Sequence, residues 1–141
     1  MERDIILPAI NGTISILNSA LKFPSIRRVV ITSSVVGIVP IEALMGGDDK
    51  TVHSATSRIS PLPSAPFNPN PGAAYFASKT LALDATEKWL EEKKPHFSIV
   101  NIMPGFILGR NELVTVAEDL LNGTNVVVLG PVLGHQMDVR P

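Results

Sequence analysis

Between residues 5 and 22, apolar and small side chains return at three- and four-residue intervals: Ile5, Ile6, Ala9, Ile10, Thr13, Ile14, Leu17, Ala20 and Leu21. That period marks one face of a helix. Pro8 is admissible only in its first turn, and Lys22 with Pro24-Ser25 closes it. Arg28-Val29-Val30-Ile31-Thr32 breaks the period. This short β-branched run is apolar on both faces and predicts a buried parallel strand. Residues 73–92 predict the longest helix, with Ala74, Ala77, Leu81, Ala85 and Trp89 on one stripe and Glu87, Glu91 and Glu92 outside. Lys93-Lys94-Pro95 stops it with cations suited to a helix C-terminus. Phe97 to Met103 reads as a second strand, ended by Pro104-Gly105. Leu113 to Leu121 reads as a short amphipathic helix closed by Asn122-Gly123, and Asn125 to Leu129 as a last strand. The alternation is that of an α/β layer built on a parallel sheet, with no internal repeat.

One stretch has no period. Gly46-Gly47-Asp48-Asp49 opens it, and Pro61, Pro63, Pro66, Pro69 and Pro71 crowd its second half, up to Gly72. Prolines at this density fix φ and remove donors, which predicts an irregular surface loop over 46–72. At 141 residues the chain has the length of one domain. A net charge of -1 gives no basic surface for nucleic acid. No cysteine is present, and His53, His96 and His135 are scattered, so disulfides are excluded and a zinc site is not expected. The apolar run Val35 to Ile41 is too short to span a bilayer, and Met1-Glu2-Arg3-Asp4 does not open a signal peptide. The expectation is a cytoplasmic chain with no membrane partner.

Candidate chemistry centres on Tyr75-Phe76-Ala77-Ser78-Lys79. Positions i and i+4 share a helix face, so the Lys79 ammonium can lie beside the Tyr75 phenol. A nearby cation favours the phenolate, as does a place near a helix N-terminus, which suits the phenol to general acid–base work. A surface tyrosine and a solvated lysine would share that spacing, so context matters. The strand ending in Thr32-Ser33-Ser34 supplies it, because ligand sites in open α/β sheets lie at the carboxyl ends of strands. A serine there can donate to a substrate oxygen. Side chains alternate along a strand, so only one of Ser33 and Ser34 can face such a site.

Arg27-Arg28-Val29-Val30-Ile31-Thr32-Ser33-Ser34 and Tyr75-Phe76-Ala77-Ser78-Lys79-Thr80-Leu81-Ala82 resemble the extended short-chain dehydrogenases/reductases. The closer likeness is to the NAD-dependent epimerase/dehydratase-like branch that holds dihydroflavonol reductase-like and fungal aldehyde or ketone reductases. Pro8 to Thr13 looks like the helix before the serine strand, and Asn101 to Gly109 like the strand and Pro-turn that meet the nicotinamide. Gly123-Thr124-Asn125 and Leu129-Gly130-Pro131 look like the start of the substrate-binding portion.

The resemblance implies a partial Rossmann-like parallel sheet lacking the first βαβ units, with the start of a substrate-binding region. Residues 1–110 would be the catalytic half and 111–141 the substrate part. It implies Ser34 rather than Ser33 as the donor to the carbonyl, Tyr75 as acid/base, and Lys79 as its tuner and ribose ligand. Pro104, Gly105, Phe106 and Ile107 would pack on the nicotinamide. Asn11 directly precedes Gly12, off the family position, and is read as a helix-surface residue. The implied function is NAD(P)-dependent reduction of a small-molecule or secondary-metabolite carbonyl, with NADP or NAD as cofactor.

Two departures open other readings. No glycine cluster, Gly46-Gly47 included, follows a strand with the spacing of a dinucleotide phosphate turn. Arg110 stands where the family often has proline. The alternatives are a truncated, non-enzymatic homologue that binds no dinucleotide, or a cofactor-independent acid/base isomerase or cyclase. A serine strand with an unpaired edge would also favour self-association or a partner chain.

Overall fold

Arg28–Thr32 (β1) and Ser98–Ile102 (β2) pair in parallel, Arg28 opposite Ser98 and Thr32 opposite Ile102. A parallel pair needs a crossover, and here it runs through a long helix, Pro71–Lys93. The computed structural model describes residues 1–44, 50–121 and 123–134. Gly46-Gly47-Asp48-Asp49, the closing Asn122 of the 113–121 helix, His135 and the tail beyond it lie outside the described residues. The chain divides into two compact units, Met1–Pro104 and Gly105–Pro141.

In the first unit a π-helical turn, Glu2–Ile6, leads into α1, Leu7–Ala20, which carries Pro8 in its first turn as the proline rule requires. After β1 come a 3-10 turn, Val35–Gly37, and a short helix α2, Ile41–Leu44, neither expected from the sequence. The crossover helix is α3, Pro71–Lys93. It ends at Lys94, whose backbone is left-handed at φ 43° and whose N–H donates to the Leu90 carbonyl at 3.0 Å, before Pro95.

Helices α1 and α3 lie on one face of the two-stranded sheet. Leu17 and Ala20 from α1, Trp89 from α3 and Phe97 form the core, against Val29, Ile31 and Ile99. The Trp89 ring stacks on Phe97 with centroids 6.2 Å apart, and its indole N–H donates to Asn18 Oδ1 at 2.8 Å. The expected stripe on α3 is rotated: Leu83, Thr80 and Thr86 are buried with Ala74, Ala77 and Trp89, while Leu81 and Ala85 are half-buried. Leu83 is drawn inward by a second cluster with Ile38 and Val39, which follow the 3-10 turn.

The strands are not buried on both faces as their apolar runs suggested. Val30 (55% exposed), Val100 (41%) and Ile102 (50%) form an apolar face that no other described element covers. Continuous apolar strands belong in sheets covered on both sides, and here only one side is covered.

In the second unit the expected strand at 125–129 is a helix, α4, Val126–Val132. Its valines suit a strand, but they show no alternation and no ladder partner forms among the described residues. Helical bonds then satisfy the backbone locally, which outweighs β-propensity. The expected helix at 113–121 is reduced to a 3-10 segment, Ala117–Leu121, followed by a 3-10 turn, Gly123–Asn125. The Asn125 side chain stands in for a strand partner: its Oδ1 accepts from Gly109 N at 3.0 Å and its Nδ2 donates to Gly109 O at 2.9 Å.

Trp89→Ala should cost about 3–5 kcal/mol through the cavity it leaves, and Asn18→Ala about 1 kcal/mol through the unpartnered indole N–H. Urea titrations followed by circular dichroism check both, and the single tryptophan gives a second probe of Asn18→Ala. The uncovered apolar face should make the chain self-associate, and Val100→Lys should shift the sedimentation profile toward monomer. A monomeric chain at all concentrations would show that this face is inert.

Candidate active site

Helix α3 begins at Asn70-Pro71-Gly72. Asn70 Oδ1 accepts from the backbone N–H of Gly72 at 2.8 Å and of Ala73 at 3.3 Å, and Pro71 fills the first helical position. Asn68 Oδ1 braces the cap by accepting from Asn70 N at 2.9 Å. The cap fixes the first turns of α3 and with them Tyr75, which is 43% exposed. One turn on, Lys79 Nζ stands 5.6 Å from the centroid of the Tyr75 ring. The i, i+4 placement expected from the sequence is therefore realised, within the range of a cation–π contact. Ser78 is buried, and its hydroxyl donates to the Tyr75 carbonyl at 2.7 Å.

Ser34 is placed by the sheet. The β1–β2 ladder continues past both strands: Ser33 N donates to Ile102 O and Val35 N to Pro104 O, each at 2.9 Å. Ser34 is only 7% exposed and caps the Val35–Gly37 turn, its Oγ accepting from Val36 N at 3.4 Å. That leaves the Ser34 hydroxyl its own proton to donate. Ser33 is half-buried on the neighbouring position.

The turn packs on α3 beside Lys79. A Cβ on Gly37 would lie 3.5 Å from the Lys79 carbonyl oxygen and 3.8 Å from Leu83 Cδ2, ordinary contact distances. The Thr80 hydroxyl donates to Val36 O at 3.4 Å and to Phe76 O at 3.1 Å. The structure therefore brings the turn after Ser34 against α3 at Lys79 and Thr80, one turn on from Tyr75, and ties Pro104 to the same turn. Gly105, Phe106 and Ile107 belong to the second unit, where all are exposed and Ile107 O accepts from the Thr124 hydroxyl. Asn11 is exposed on α1.

A hydroxyl able to donate, an accessible phenol and an ammonium over its ring suit a carbonyl oxygen that gains negative charge. They fit the carbonyl and nicotinamide end of a dinucleotide site. The pyrophosphate end finds no counterpart among the described residues. The free amides at the start of α3 would be the natural anion site, but Asn70 occupies those of Gly72 and Ala73. Asn70 and Thr80 were not singled out from the sequence. An Asn-Pro-Gly run before a helical period is a legible capping signal, whereas nothing in the sequence marks the bond from Thr80 to Val36.

No family model matches the chain. Among proteins of similar sequence, a ketoreductase of Cercospora beticola is 36% identical over 136 residues, covering 96% of this chain and 38% of the relative. An NAD-dependent epimerase/dehydratase of Alternaria alternata is 37% identical over 136 residues, with the same coverages of 96% and 38%. Among solved structures, a reductase of Candida albicans in complex with NADPH superimposes with a TM-score of 0.74 at 27% identity, covering 94% of this chain and 38% of its own. The yeast methylglyoxal/isovaleraldehyde reductase, also with NADPH, gives a TM-score of 0.69 at 29% identity over 79% of this chain and 33% of its own. The chain thus spans between 33% and 38% of the length of these relatives.

Removing the cap by Asn70→Ala should lower stability by about 1 kcal/mol. Gly72→Ala presses on the same contact, its Cβ 3.1 Å from Asn70 Oδ1, and sets that crowding against the helix propensity that alanine gains. Thermal melts of the two variants check this, and an unchanged Asn70→Ala would show that the cap does not hold α3.

Proposed function

We propose, for a chain homologous to reductases and epimerase/dehydratases of the short-chain dehydrogenase/reductase type, that Ser34, Tyr75 and Lys79 deliver the proton in an NAD(P)-dependent carbonyl reduction. The observation that carries this is the Lys79 ammonium 5.6 Å from the Tyr75 ring centroid, on the helix turn against which the Ser34 turn packs. NADP or NAD, when bound, supplies the hydride to the carbonyl carbon. Tyr75 gives its phenolic proton to the carbonyl oxygen, producing the alcohol. Ser34 donates a hydrogen bond to that oxygen as charge gathers on it, and Lys79 stabilises the phenolate left behind and holds the ribose. Pro104 would face the nicotinamide with Gly105, Phe106 and Ile107. The substrate would be a small-molecule or secondary-metabolite carbonyl compound.

A second reading has its own support. With the amides of Gly72 and Ala73 engaged by Asn70, and no glycine-rich turn after a described strand, the chain alone has little with which to hold pyrophosphate. In that reading it is a non-enzymatic homologue. Calorimetric titration of NADPH into the chain separates the two: micromolar binding supports the reductase, and no binding at millimolar cofactor supports the homologue.

For the reductase reading, the chain's residues replace the matching segment of the Cercospora beticola ketoreductase. In that chimera Tyr75→Phe should lower turnover about 10²–10⁴-fold with the melting temperature unchanged. Ser34→Ala should be strongly impaired and Ser33→Ala much less so. A larger loss at Ser33 would reverse the assignment of the two hydroxyls.

A further inference from the structure

A cavity of about 510 Å³ lies between the proline-rich segment and α3. Neither Ser34, Tyr75 nor Lys79 lines it. Its volume falls in the range of sites that enclose small molecules. We propose that it binds an apolar, ring-bearing small molecule carrying an acceptor oxygen. This inference needs no dinucleotide and no hydride transfer.

The lining chooses the ligand. Ile59, Pro63 and Phe67 form one wall, and Ala73, Phe76 and Ala77 of α3 the other. Aromatic and proline rings offer flat apolar faces, which favour a planar hydrophobic body. The polar groups divide by role. Asn68 and Asn70 line the cavity with their carboxamide oxygens already accepting backbone N–H groups. Neither carboxamide nitrogen has a partner among the described residues, so both are left as donors. The Thr80 hydroxyl is spent on the Val36 and Phe76 carbonyls. A ligand oxygen that accepts a hydrogen bond is therefore matched by these two donors, while the Glu42 carboxylate and the Ser64 hydroxyl are the acceptors on the lining.

Charge narrows the class further. Among the described residues that line the cavity Glu42 is the one that is charged, and none is a cation. A phosphate or carboxylate would be repelled there, which separates this cavity from any dinucleotide site.

The outer wall is anchored to the helix. Arg58, next to Ile59, forks onto the Glu87 carboxylate of α3, Nε bonding Oε1 at 2.9 Å and Oε2 at 3.0 Å, with Nη2 also on Oε1. Its Nη1 donates to Ala55 O at 3.0 Å and Ser57 O at 2.6 Å, which stiffens the segment itself. A two-pronged pair of this kind fixes direction as well as distance. The cavity adjoins the Tyr75 side of α3 through Phe76, whose ring meets that of Tyr75 edge-on at 6.0 Å.

The test titrates 2-acetonaphthone, a flat apolar ketone, into the full chain without dinucleotide, read by amide chemical shifts. One-to-one saturable binding is expected, with shifts centred on Ile59, Ala73 and Phe76. Ala73→Trp, which fills the cavity, should weaken binding at least about ten-fold, or 1.4 kcal/mol. Val100→Thr, on the uncovered sheet face, should leave it unchanged. Should Ala73→Trp fail to fold, Ile59→Asn on the opposite wall is to give the same loss. Absence of binding, binding that survives the wall substitutions in folded protein, or loss on Val100→Thr would each overturn the proposal.

Discussion

The pairing of β1 with β2 does not stop where the strands stop, and the position of the serine depends on that continuation. Ser33 and Val35 go on donating to the Ile102 and Pro104 carbonyls. This leaves Ser34 between two bonded residues, its backbone held extended at φ -161° and ψ 152°. A parallel ladder has evenly spaced bonds and no freedom to slip by one residue without turning every side chain to the other face. Alternation sets Ser33 on the face of Val29 and Ile31 and Ser34 on that of Val30, so Ser34 owes its burial to the chain that follows the strand and not to the α1 and Trp89 side. Ser34 is enclosed, against the 3-10 turn, and Pro104 is tied to the same turn by its carbonyl.

Helix α3 divides its duties along its length. Its C-terminal half is anchored by Trp89 in the core with Phe97 and Leu17. Its middle is gripped by the turn after Ser34, through Gly37 against the Lys79 carbonyl and Thr80 on Val36. Its N-terminal turns are held by Asn70 and carry Tyr75 on an accessible face. The exposed phenol is consequently mounted on a backbone fixed at both ends. Such mounting is what a group needs if it is to meet a substrate in one geometry.

Much of this was legible in the sequence because it rests on local period and punctuation. The helical repeats of 5–22 and 73–92, the run Arg28–Thr32, and the Tyr75–Lys79 spacing each state their element within a few residues, and the parallel α/β order follows from their alternation. What failed was non-local. Val126–Val132 is rich in β-branched residues, but a strand exists only if a neighbour offers a ladder. The exposure of Val30, Val100 and Ile102 could not be read from runs that look suited to burial on both sides. The fork between Arg58 and Glu87, 29 positions apart in numbering, leaves no mark in the sequence. The cavity beside Ile59, the neighbour of Arg58, was accordingly invisible until the fold was known.

Two kinds of recognition are separable in this molecule because they make opposite electrostatic demands. Proton delivery to a carbonyl needs a hydroxyl, a phenol and a cation, and these come from β1's exit and two turns of α3, all within Met1–Pro104. Pyrophosphate needs several unspent N–H groups or cations in one concave surface, and the amides best placed to serve at α3 are taken by Asn70. The cavity across α3 has no cation among its lining residues, and Glu42, its charged lining residue among those described, is an anion. A phosphate-bearing ligand and an apolar ring compound would thus be sorted to different places by charge alone. The reduction chemistry of the relatives comes to this chain only as far as a dinucleotide can be held against Tyr75. The cavity rests on side chains that this chain itself provides, and its occupancy is a question the chain can answer alone.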